Sequence, residues 1–210
     1  MMRALSALGD TALLAPAALA ITVYLAALRR WVEARAFVAS LAFGLGATLL
    51  FKLLFKACGG AIEILDLNSP SGHASFATLF YGALAVMIGA GRPSWQAALV
   101  GIPAVAIVAA IGASRAIQGA HSWEEVVLGW LIGLAGLAVF VALHRRTERG
   151  PLSPVPLAIG LALAVLLVDG RHFSPEHYIG RIARYASTSL DVCTENRVTG
   201  LKRGLATMIP

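Results

Sequence analysis

Two short sets of residues carry most of the polar chemistry of a strongly apolar chain. One is Pro70-Ser71-Gly72-His73; the other is Ser114-Arg115, with His121 after a five-residue gap. Ser69 is suited to cap a helix and Pro70 to occupy its first position. The amides of Ser71, Gly72 and His73 are then expected to face the loop as unpaired donors at the positive end of that helix, where anions bind. Gly72 lets an anion approach the backbone closely, and the Ser71 hydroxyl adds a donor. Arg115 is always charged, and its planar fork matches phosphate oxygens. An imidazole such as His121 attacks phosphorus when an acceptor holds its second ring nitrogen. Glu125, four residues on, supplies that acceptor by the logic of a hydrolase triad. Ser122-Trp123-Glu124-Glu125 also reads as a capping box, and a carboxylate has two oxygens for the two roles. Lys52 and Lys56 lie one helical turn apart on one face. They read either as snorkelling cations or as a pair that neutralises phosphate.

These residues need elements to hold them, and the composition says which. The 210 residues are 58% hydrophobic and only 13% charged, with a mean hydropathy of +0.77. A soluble domain carries about twice that share of charge. Apolar runs occupy 11–28, 37–55, 74–90, 96–113, 126–143 and 155–168. The first five have about the length needed to span a hydrocarbon core as helices, whereas the sixth is short and opens with Pro151, Pro154 and Pro156. The expected architecture is all-α: a polytopic transmembrane bundle of about six segments. One domain covers 1–170, with its motif region at 52–133, and a polar tail with an amphipathic helix covers 171–210. Arg3, an apolar stretch and Ala18-Leu19-Ala20 loosely imitate a secretory signal. The run continues to Leu28 and is followed by Arg29-Arg30, so it reads as a retained helix.

The net charge of +6 does not point to nucleic acid, because the arginines sit between apolar runs rather than in an aromatic-rich basic patch. Arg29, Arg30 and Arg35, then Arg92, then Arg145, Arg146 and Arg149 fall in loops on one side, and the candidate site falls on the other. The positive-inside bias makes the site extracytoplasmic, in a cell (inner) membrane. Six crossings would put Arg181, Arg184, Lys202 and Arg203 of the tail on the site's side. Either the tail rests on the outer leaflet or the last run does not cross. Tyr81 and Trp130 read as packing or interfacial residues, and His144, among arginines, as facing headgroups. Cys58 and Cys193 make neither a disulfide framework nor a zinc site.

With these residues in place, the chain resembles the type 2 phosphatidic acid phosphatase (PAP2) superfamily, shared with vanadium-dependent haloperoxidases. That family's pattern is Lys-x6-Arg-Pro, then Pro-Ser-Gly-His, then Ser-Arg-x5-His-x3-Asp. The second block matches at Pro70 to His73 and the third at Ser114, Arg115 and His121. Glu125 stands where the family usually has Asp, a longer arm by one methylene. The first block is incomplete: Lys56 is the choice for its lysine, with Lys52 standing in for the missing arginine. The resemblance implies that His121 forms a phosphohistidine and His73 protonates the leaving oxygen. It also implies that Glu125 orients His121, and that Lys56, Lys52, Ser71, Gly72 and Arg115 hold the phosphate. No metal or other cofactor is implied. The implied substrate is a membrane-borne lipid phosphate or diphosphate. A phosphotransferase would share the intermediate, and a lipid-phosphate binding or transport protein would suit the incomplete first block.

Overall fold

The computed structural model describes residues 2–57, 68–145, 150–157, 160, 179 and 181–182. The elements formed by these residues are all helices: α1 (Met2–Ala7), α2 (Thr11–Ala27), α3 (Trp31–Ala57), α4 (Gly72–Gly89), α5 (Ser94–Ile117) and α6 (Trp123–His144). By length and composition, α3, α4, α5 and α6 can each cross a membrane, while α2, with 17 residues, is shorter. Apolar side chains such as Leu99, Ile102 and Val105 point outward from α5. Water would oppose this, but lipid tails match it. The sixth apolar run begins with a helical turn at 154–157 and otherwise lies almost wholly outside the described residues. So does nearly all of the tail, including most of its expected amphipathic helix.

Local chemistry sets the helix ends. Asp10 caps α2, its Oδ1 accepting from the Ala12 amide at 2.9 Å. Ser71, not Ser69, caps α4, so Gly72 rather than Pro70 is the first helical residue. Ser122 and Glu125 form the expected capping box of α6. The end of α5 explains the five-residue gap in the second motif. Gly119 adopts φ +66°, its amide bonds Ala116 O, and the Ala120 amide bonds Arg115 O. This is a Schellman turn, and it needs the left-handed conformation that glycine reaches without strain. It places His121 just past the turn that begins at Arg115. The end of α2 makes the same turn with Arg29 at φ 57°.

Successive helices α2 to α6 alternate in direction, so one end of the bundle gathers the starts of α2, α4 and α6 and the ends of α3 and α5. Buried α4 sits between α3, α5 and α6. Phe37, Phe80 and Phe140, from three different helices, are fully buried and interlock: Phe37 lies 6.4 Å from Phe80 and 6.2 Å from Phe140 between ring centroids. Glycines let α6 approach α4 closely. A Cβ on Gly129 would lie 2.5 Å from Ser71 O, and one on Gly133 would lie 2.6 Å from Ser75 O. Small residues permit such contact where membrane helices pack.

The far end of the bundle departs from the sequence reading. Arg30 and Glu33 are buried and form an ion pair, and Arg30 Nη2 also donates to Gly150 O at 2.9 Å. His144 does not face headgroups. It is buried, stacks on Phe140 at 5.3 Å, and places Nδ1 3.9 Å from Glu33 Oε1. Burial needs such compensation, because an isolated charge in the interior is costly.

Candidate active site

Glu125 organises the site. Its Oε2 accepts from His121 Nδ1 at 2.5 Å and from the Ser122 amide at 3.4 Å. Its Oε1 accepts from the amides of Asn68 and Ser69 at 2.9 and 2.7 Å. Its backbone carbonyl accepts from the Ser71 amide at 2.9 Å. One residue of α6 therefore holds the histidine, the start of its own helix and the loop leading into α4. The longer arm of Glu is what spans these partners. The sequence reading anticipated the cap and the imidazole, but not the grip on residues 68–71.

That grip corrects one expectation. The Ser71 amide does not face the loop, since it donates to Glu125. The fully buried Ser71 hydroxyl accepts from the Ala74 amide at 3.4 Å. The amides of Gly72 and His73 lie in the first turn of α4, where a helix provides no acceptor of its own. Lys52 is buried at 3% exposure, so it is not a snorkelling cation at a boundary. Its Nζ lies 3.9 Å from the position a Cβ on Gly72 would take. The ammonium therefore packs beside the helix start. Thr48, one turn before Lys52, bonds Ser75 at 2.8 Å and fixes α3 against α4. The side chain of Lys56 lies outside the described residues.

Arg115, in the last turn of α5, donates from Nη1 to Ser6 Oγ at 2.9 Å, which ties α1 to the site. The charges of Arg115, Asp10, His121 and Lys52 all act on the His73 ring, and those of Lys52 and Arg115 act on His121. Lys52 beside Gly72, His73 in the first turn of α4, His121 held by the Glu125 that also grips residues 68 and 69, and Arg115 bonded to Ser6 therefore stand at the same end of the bundle. Helix dipole, amides and cations all favour an anion there.

The electrostatics give His121 a definite form. Burial pushes its ring below the ordinary 6.5, the hydrogen bond and charge of Glu125 oppose that shift, and Lys52 and Arg115 push it further down. A carboxylate only accepts, so Nδ1 carries the proton in the pair with Glu125. The neutral ring then has its lone pair on Nε2, the form a nucleophile needs.

Asp10 is the residue the sequence reading missed. Its Oδ2 lies 4.0 Å from His73 Nε2. A lone Asp before an apolar helix reads as a cap, and nothing local links it to a histidine 63 residues away.

The PAP2 superfamily profile matches residues 11–149. The chain belongs to the PAP2 superfamily. It is similar to a Klebsiella pneumoniae protein, the 22.5 kDa protein in the cps region, with 32% identity over 145 residues, 68% of this chain and 69% of that one. No solved structure matches the chain. PAP2 membership supports phosphatase-type activity, that is, phosphoester hydrolysis in general. The helices long and apolar enough to span make this PAP2 member a membrane protein.

Proposed function

We propose that the protein hydrolyses a lipid phosphate or diphosphate at the extracytoplasmic face of the cell membrane, through a phosphohistidine and without a metal. His121 Nε2 attacks phosphorus as the bond to the leaving oxygen breaks. That oxygen takes its proton from His73. Lys52, Arg115 and the first-turn amides of α4, Gly72 among them, stabilise the equatorial oxygens. Glu125 holds the His121 tautomer. Water, deprotonated by His73, then attacks the phosphohistidine; the P–N bond breaks and inorganic phosphate leaves.

The observation that supports this reading is the convergence of His73 from α4, Lys52 from α3, Arg115 from α5 and His121 from the turn before α6 on one end of the bundle. That end lies at the margin of the apolar segments, where a headgroup sits while its tails stay in lipid. Arg29, Arg35, Arg92 and Arg145 belong to the opposite end, which supports a site facing away from the cytoplasm. The test is phosphate release by purified protein from vesicle-borne phosphatidic acid and from a polyprenyl diphosphate. An acid-labile, base-stable phosphoryl label should appear on the wild-type protein and be absent from His121→Ala. Turnover that persists in His121→Ala overturns the reading.

A further inference from the structure

We propose that Asp10 is a positioning residue for His73, a counter-charge that favours the protonated form of this imidazole in the step where it delivers its proton. The inference rests on the phosphatase reading above and adds a residue from outside the matched segment, since Asp10 immediately precedes residues 11–149.

The groups that act on His73 come from every neighbouring element. Arg115 from α5 and Lys52 from α3 are cations. His121, before α6, is a second imidazole. Asp10, before α2, is the carboxylate. Burial first, and then like charges, disfavour an imidazolium, so a proton donor buried among cations gains from a nearby carboxylate. The phosphate dianion corrects this only while it is bound. Asp10 supplies negative charge on the same ring between turnovers.

The structure holds Asp10 there by several independent contacts. Tyr81, on α4, donates from its hydroxyl to Leu8 O at 2.9 Å and anchors the turn between α1 and α2. Gly9 packs directly on the histidine: a Cβ there would lie 3.4 Å from His73 Cβ and 2.6 Å from Ile111 Cγ2. The Arg115 bond to Ser6 fixes the same segment from α5. The two Asp10 oxygens divide the work. Oδ1 caps α2 by accepting from the Ala12 amide, and Oδ2 faces His73 Nε2 at 4.0 Å. A cap alone would need neither Tyr81 nor the bare face of Gly9.

Asp10→Asn separates the two roles, because Asn caps a helix as well as Asp does but carries no charge. The experiment compares the full-length variant with wild type on two substrates: phosphatidic acid, whose alcohol leaving group needs a proton, and p-nitrophenyl phosphate, whose leaving group does not. The expected result is a drop in kcat of about tenfold or more on phosphatidic acid, part of what general acid catalysis supplies. A clearly smaller loss is expected on the nitrophenyl ester, which needs His73 only for the water step, and thermal stability should be retained. His73→Ala should lose turnover on both substrates, because the water step also uses His73, and should lose more on phosphatidic acid, whereas His121→Ala should lose both substrates completely. Equal losses on both substrates in Asp10→Asn, or no loss on either, overturn the role of Asp10. Retained turnover in His121→Ala overturns the phosphatase reading instead.

Discussion

Each end of this bundle sets a histidine against a buried glutamate, and the two pairs are built differently. At the far end, Glu33 is occupied by Arg30, and His144 stacks on Phe140 at a looser 3.9 Å from the carboxylate. At the site end, Glu125 takes its hydrogen bonds from His121 and from the neutral amides of Asn68, Ser69 and Ser122. No cation is among these partners, so the negative charge remains directed at the imidazole. The first arrangement spends its carboxylate on cohesion and locks α3, α6 and the segment at Gly150 together. The second keeps its carboxylate for one ring and places the cations, Lys52 and Arg115, around the space beyond it. The same pair of residue types thus gives a clamp at one end and an activated imidazole at the other.

Substitutions separate these roles. The largest effect is expected from Glu125→Gln, which removes the charge but keeps the size. By analogy with a triad whose carboxylate is neutralised, kcat should fall by about 10³ to 10⁴, measured as phosphate release by protein that still unfolds cooperatively. Glu125→Asp should also lose activity, because the shorter arm cannot reach both His121 and the amides of Asn68 and Ser69. Gly129→Ala comes next. The new methyl meets Ser71 O, which is backbone and cannot swing aside. A displacement of about 1 Å at the motif should lower kcat by roughly a hundredfold, and full activity would show that α6 does not set the position of α4.

A pH profile gives a smaller and more specific effect. His121 reacts when neutral and is pushed below 6.5, so activity should be lost below pH 6.5, as the ring gains its proton. Lys52→Met removes one charge that pushes the ring down. The acid limb of its residual activity should move to higher pH, and a shift to lower pH would contradict the arrangement. The least effect on turnover is expected from Glu33→Gln. It leaves Arg30 buried without its carboxylate, which should lower stability by roughly 3 kcal/mol while kcat stays unchanged. A large loss of kcat there would break the division between the two ends.

Much of the helical order is legible in the sequence because apolar runs and caps are local. Ser122 to Glu125 give the start of α6. The motif residues were also visible, since their types are rare in so apolar a chain. What the sequence hides is set by packing between distant segments. Asp10 looks like a cap until the α1–α2 turn is laid against His73. The Ser71 amide looks free until α6 brings the Glu125 carbonyl to it. Arg30 and His144 look like loop and headgroup residues because each has a partner more than a hundred positions away, Gly150 for Arg30 and Glu33 for His144. Lys52 passes for a boundary cation because its burial against the start of α4 is a contact between segments twenty residues apart.

The triple hold of Glu125 also has a consequence for biosynthesis. A ribosome releases residues 10, 52, 73 and 115 before the residue that fastens their surroundings. Until α6 enters the membrane, the amides of residues 68, 69 and 71 lack the acceptors they find in the finished molecule. The pocket therefore closes late, and a nascent chain halted short of residue 125 should carry its cations without any turnover.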